Sequence, residues 1–183
     1  MPLDLERFVA AQRGAYDGAL RELRAGHKTG HWIWFIFPQL ARLGRSDMSR
    51  LYAIVSLDEA RAYLAHPILG PRLLECAGAV LWTSGVTADQ IFGSRDAIKV
   101  RSSMTLFHRA APDKPLFEQV LERFYEGVED AATVALLGVI DADTDSSVPA
   151  PDLLPALASW DATAQGEPVP RWDAVVRAQR SEH

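Results

Sequence analysis

One cysteine, Cys76, stands in 183 residues, so no intrachain disulfide can form. Cys76 lies in an apolar helical pattern and reads as a small buried hydrophobe rather than a nucleophile. Long apolar runs are also lacking. The longest, Trp32 to Phe37, falls far short of the ~20 residues that a membrane helix needs. Positive charge is not in excess: 19 Lys and Arg against 24 Asp and Glu give a formal net charge of -5. That balance weighs against a phosphate-backbone footprint, and Arg42, Arg45 and Arg50 make only a local basic group, so nucleic acid is not an expected partner. The first residues, Met1 to Glu6, are acidic and lack the apolar core of a secretory signal, which makes the cytoplasm the expected location. Standard catalytic signatures are missing as well: no Walker A loop, no dinucleotide glycine fingerprint, no HExxH and no Gly-x-Ser-x-Gly elbow. With a single cysteine and five scattered histidines, zinc has no obvious ligand set. No metal and no cofactor are expected, and no catalytic residue is singled out by spacing.

What is present is the balance of a folded domain, 48% apolar and 23% charged. Asp4 can cap a helix running to about Ala25, with Phe8, Ala11, Ala15, Ala19 and Leu23 on one face and Arg13, Asp17, Arg21 and Arg24 on the solvated one. Gly26 is its natural stop. After a polar connection, the aromatic run reads as a short buried helix or an extended core segment, because no second strand-like segment offers it a partner. Leu40 to Ser49 reads as a loop, with a helical turn near Met48 to Ala53. Ser56–Glu59 and Thr87–Gln90 are capping boxes. The helix from Ser56 should end near Ala65, before His66-Pro67. Pro71 suits a first helical position, and Gly85 the end of that helix. Further helices are expected from Ser94 or Asp96 to the turn at Pro112, from Pro115 to Gly127, and from Asp130 through Leu137. About seven short helices with short connectors predict a compact all-α domain over residues 1–138. Residues 139–183, rich in Asp and Pro, read as a linker with a short-helix C-terminal extension. Trp160 and Trp172 in that extension need a surface to cover them, either this domain or a protein partner.

Two constellations carry potential chemistry. The first is Lys28-x-x-His31-Trp32-x-Trp34, closing at Gln39. Its indoles offer stacking faces, Lys28 meets an anion, and His31 or Gln39 orients a ligand by hydrogen bonds. The second starts near Ser94, where Asp96, Lys99 and Ser103 share one helical face and the helix start favours an anion. Together they point to a pocket that binds or acts on a small anionic, nucleotide-like ligand, with His31 and Asp96 as polar or acid/base groups. The plainer reading of each is a core segment and an exposed ion pair. The alternative function is a non-enzymatic interaction module that uses the extension.

Taken together, the two segments resemble a known family. Gly26-x-Lys28-x-Gly30-His31-Trp32-Ile33-Trp34-Phe35-Ile36-Phe37-Pro38-Gln39, paired with Ile91-Phe92-Gly93-x-x-Asp96-x-x-Lys99-x-x-Ser102-Ser103-Met104-Thr105-Leu106-Phe107, is similar to the domain-of-unknown-function 1810 family. Tyr52-Ala53-Ile54, Tyr63-Leu64-x-His66-Pro67 and Leu69-Gly70-Pro71-Arg72-Leu73 match in the same order. The resemblance covers roughly residues 4–138. It implies a small, mainly α-helical bacterial protein and supplies no reaction, cofactor or catalytic residue. The label "calpastatin" that some members carry does not suit this chain, since a calpain inhibitor is disordered and this composition is that of a folded domain.

Overall fold

A computed structural model describes residues 4–144. Among them are ten α-helices and no strand; the single β-bridge is a parallel one between Leu40 and Ile54. The helices are α1 (Glu6–Gln12), α2 (Tyr16–Arg24), α3 (Ile33–Ile36), α4 (Asp47–Leu51), α5 (Leu57–Ala65), α6 (Leu69–Trp82), α7 (Ala88–Phe92), α8 (Ser94–Ala110), α9 (Pro115–Tyr125) and α10 (Ala131–Thr144). The all-α class is as expected, but ten helices replace about seven.

Part of the difference lies in the first segment. The single helix expected from Asp4 to Ala25 is two, broken at residues 13–15. Gly14 lowers the cost of the break, since a mid-helix glycine is worth about 1 kcal/mol less than alanine. The break is used. Gln12 is buried and donates through Nε2 to the Phe35 carbonyl at 2.7 Å and to the Tyr63 hydroxyl at 3.0 Å. Beyond the break, the Tyr16 hydroxyl donates to Glu75. Asp4 does not cap; the first helix has Leu5 at its N-cap with no side-chain bond.

Caps elsewhere follow local chemistry. Thr87 and Gln90 form a complete capping box. Ser56 accepts from the Glu59 amide at 3.1 Å, but the Glu59 carboxylate turns to the Val55 amide at 2.7 Å and to Arg7 at 2.8 Å, so the expected reciprocal box is half made. Asp130 caps α10 by accepting from the Thr133 amide at 2.9 Å. That helix continues past Leu137 to Thr144, through the position where a linker was expected to begin. The predicted amphipathic pieces with Trp160 and Trp172 lie outside the described residues.

α6 begins two residues before Pro71, and Gly70 explains how: a Cβ there would sit 2.0 Å from the Leu64 carbonyl oxygen, so only glycine lets α6 start against the end of α5. The stretch read as a plain loop, Leu40 to Ser49, contributes Leu40 and Leu43 to the core, pinned by Ala41 N–H to Ile54 O at 2.7 Å and Ile54 N–H to Gln39 O at 2.9 Å.

The core is centred on α8, which packs against α3, α5, α7, α9 and α10. Phe107 on α8 faces Tyr63 of α5 and Phe117 of α9, with ring centroids 5.5 and 5.7 Å apart. Burial on this scale, about 25 cal/mol per Å2 of apolar surface, is the main favourable term of the fold. Cys76 is fully buried, and that burial, with Glu75 beside it, pushes its thiol up to about 12; it is packing, as its pattern suggested. No helix among the described residues is long and apolar enough to cross a membrane.

Candidate functional site

The site begins with one carboxylate near the end of α2. Glu22 accepts from the amides of Thr29 (2.8 Å) and Gly30 (2.9 Å), from the Thr29 hydroxyl (2.8 Å) and from the Trp32 indole N–H (2.8 Å). Four donors on one carboxylate fold residues 29–32 back over the helix they have just left. Burial of Glu22 works against its charge, but the Gly30 and Thr29 amides and the Trp32 indole more than offset it and hold the carboxyl down at about 2. Gly30 is required by this arrangement, since a Cβ would lie 2.7 Å from Trp32 Cδ1. The connection is then tied to a distant element: the Lys28 amide donates to the Ile91 carbonyl of α7 at 2.7 Å.

α7 ends and α8 begins on Gly93, whose φ of +75° is a left-handed value that favours glycine. Asp96 sits in the first turn of α8, where the helix dipole favours a negative charge. Lys28 Nζ lies 2.6 Å from Asp96 Oδ2, and Lys99 Nζ lies 2.8 Å from Asp96 Oδ1. Burial raises the Asp96 carboxyl, but hydrogen bonds from Lys28 and Lys99 outweigh it and leave it below its ordinary range. Each ammonium also has an indole beneath it. Lys28 Nζ is 5.2 Å from the Trp32 ring and Lys99 Nζ 5.0 Å from the Trp34 ring. Cation–π contacts of this kind contribute about 0.5–2 kcal/mol, more as the cation is desolvated, and the Lys28 side chain is only 8% exposed.

Of the nine residues picked from the sequence, Lys28, Trp32, Trp34, Asp96 and Lys99 meet in this one cluster, from two segments far apart in the chain. Lys28 and Lys99 share Asp96, and the ionised Glu22 carboxylate, bonded to the Trp32 indole beneath Lys28, supplies a second negative charge beside them. Ser103 is one turn beyond Lys99 on the face that also carries Asp96. It is fully buried, and its Oγ has no hydrogen-bond partner; the same holds for Nε2 of the buried Gln39. A buried polar atom without a partner costs about 1–3 kcal/mol, so two of them on the motif segments call for an explanation. His31 and Ser94 are exposed. Arg42, Arg45 and Arg50 are also exposed, and Arg50 pairs with Asp47 at 3.2 Å. Two surface clefts, of about 370 and 440 Å3, lie elsewhere and include neither Lys28 nor Lys99. Among the described residues no three His, Cys, Asp or Glu side chains gather as a metal site would need.

Glu22 was not legible in the sequence. It sits in a helix among ordinary charged residues, and its partners are defined only once the chain reverses at Gly26. The sole local hint was a donor-rich stretch, Thr29-Gly30-His31-Trp32, directly after the helix end.

A family model described as "Protein of unknown function (DUF1810)" matches residues 2–137. The chain belongs to the DUF1810 family. Both segments that build the cluster fall inside the matched range of this DUF1810 protein. The conserved hypothetical protein Rv1873 from Mycobacterium tuberculosis, known from its crystal structure, is similar to it at 52% identity with a TM-score of 0.75, over 76% of this chain and 99% of that one. No curated protein matches the DUF1810 chain.

Proposed function

We propose that the helical domain binds a small anionic, nucleotide-like ligand at the cluster of Lys28, Asp96 and Lys99. The observation that supports this reading is the convergence of the two motif segments on two part-buried lysines, each backed by an indole. Each ammonium has three donors and spends one on Asp96, so both retain donors for an anion. On the same two segments, Gln39 Nε2 and Ser103 Oγ are buried without a hydrogen-bond partner. Trp34, half-buried, supplies a face for a planar group. His31 and Ser94, by their positions next to Trp32 and at the start of α8, flank the same residues.

The test is a thermal-shift screen of nucleotides and sugar phosphates against wild type, Lys99→Ala and His31→Ala. A ligand at a hundred times its Kd adds about 2.7 kcal/mol to the stability of the state that binds it, a rise of about 5–10 °C for a chain of this size. The expected result is a compound that stabilises wild type and loses most of its effect in Lys99→Ala. Silence across the panel overturns the reading and favours the interaction module that uses the C-terminal extension.

A further inference from the structure

The cleft of about 440 Å3 lies where α7, the start of α8 and the end of α9 meet the turn into α10, with Ala97, Ile98, Arg101, Phe124, Tyr125 and Asp130 among its walls. Four polar side chains around it already serve the domain. The Tyr125 hydroxyl donates to the Ala97 carbonyl at 2.7 Å, and Arg101 donates to the carbonyls of Val128 at 2.8 Å and Glu129 at 3.1 Å. Asp130 accepts from the Thr133 amide and hydroxyl, and Thr87 caps α7. What is left over is apolar. Ile98 is 45% exposed, Val128 beside Arg101 is 54% exposed, and Phe124 and Tyr125 are only partly buried. Such a surface gains from apolar side chains laid on it, at about 25 cal/mol per Å2 covered, and offers little to a polar ligand.

The course of the chain says which side chains these are. Asp130 caps α10, so the cleft lies at the beginning of that helix. Fourteen residues at about 1.5 Å each then carry the chain about 21 Å away, to Thr144. The sequence runs on to His183. Its next eight residues, 145–152, can span at most about 26 Å, enough to retrace α10 and little more. Pro149 and Pro151 among them favour extended backbone. Leu153, Leu157 and Trp160 follow directly, at the i, i+4, i+7 spacing of one helical face. We infer that residues 153–160 fold back along α10 and seat Leu153, Leu157 and Trp160 in the cleft of the same molecule, against Ile98, Phe124 and Val128. Linkage favours this occupant over a free partner. A tether whose length matches the span holds its end at an effective concentration in the millimolar range, so even a small apolar contact is occupied.

Hydrogen exchange of the full chain, read by mass spectrometry over residues 153–160, tests this. The expected result is exchange slower than in a free peptide of the same sequence, and independent of protein concentration. Ile98→Glu and Val128→Glu, at positions that are about half exposed in the domain, should each raise the rate by about tenfold. Neither position is in the core, so an unchanged circular dichroism spectrum is expected. Ile98→Cys combined with Leu157→Cys provides an independent check, since the pair should close a disulfide within one chain under oxidation. Unprotected exchange of residues 153–160 in wild type overturns the proposal. So does protection that both glutamate variants leave intact, which puts the segment on another face. Protection that grows with protein concentration also overturns it, because the segment then lies on a second copy.

Discussion

Replacing Glu22 with glutamine separates its charge from its shape. The carboxylate accepts from four groups at 2.8–2.9 Å, all from residues 29–32. A glutamine keeps one accepting oxygen and turns a donor toward groups that are themselves donors. The carboxyl falls from 4.5 to about 2 in the fold, so the folded state holds the charged form more tightly than the unfolded chain does. Partial exposure and solvent screening reduce what that shift is worth, and about 1–2 kcal/mol at neutral pH is expected for Glu22→Gln. For a chain of this length that is a drop of about 2–8 °C in Tm. The sign with pH follows from the lowered value. The contribution is complete above about 4.5, and it is lost as the pH falls toward 2 and the folded carboxylate takes up a proton. Urea unfolding of wild type and variant at several pH values between 7 and 2 measures it. Other titrating carboxylates are common to both proteins and cancel in the difference. The gap between the two should be widest at pH 6–7 and close near pH 2. A gap that stays constant over that range would refute the reasoning, because the loss would then be one of packing and not of charge.

Asp96→Asn removes the anion shared by Lys28 and Lys99 and leaves two part-buried ammonium groups facing each other; a loss of about 2–4 kcal/mol is expected by urea unfolding at pH 7. Because the Asp96 carboxyl is held below its ordinary range, that penalty too should shrink as the pH drops through the acid range, and a penalty under about 0.5 kcal/mol at pH 7 would show the cluster to be solvated. Gly30→Ala forces a methyl to within 2.7 Å of Trp32 Cδ1, and should cost about 1–3 kcal/mol and alter the near-ultraviolet circular dichroism of the tryptophans. An unchanged spectrum and Tm would mean that the loop shifts freely. Thr87→Ala removes the cap of α7 and should lower stability by about 1 kcal/mol in chemical denaturation, while Asp89→Ala, on the exposed side of the same turn, should do much less.

How far the sequence carried depended on whether a feature was local. The Thr87–Gln90 box, the Asp130 cap and the stop before His66-Pro67 all use atoms within four residues of one another, and each stands where its pattern placed it. The break at residues 13–15 and the burial of Leu40 and Leu43 were not legible, since each depends on partners supplied much later, Tyr63 and Glu75 in one case and Ile54 in the other. Glu59 shows the boundary between the two. Its own turn offered it the Ser56 amide, and Arg7, more than fifty residues earlier in the chain, helped draw it to Val55 instead. The site divides in the same way. Residue types identified Lys28, Asp96 and Lys99 as candidates, but that the two lysines share one carboxylate, and that Glu22 fixes the approach of Trp32, arise only from the tertiary fold.

The single backbone bond from Lys28 to Ile91 has a consequence for the order in which the molecule assembles. The turn around Glu22 and the pairing of Asp96 with Lys99 are short-range and can form within their own stretches of chain. The bond to Ile91 and the contact of Lys28 with Asp96 close a long loop, whose entropy must be met before either yields anything. The two halves of the signature are therefore independent pieces early in folding and become one object late. Pulse-labelled hydrogen exchange during refolding is expected to find the Lys28 amide among the last to be protected, since its acceptor, the Ile91 carbonyl, arrives only when α7 and the end of α2 come together.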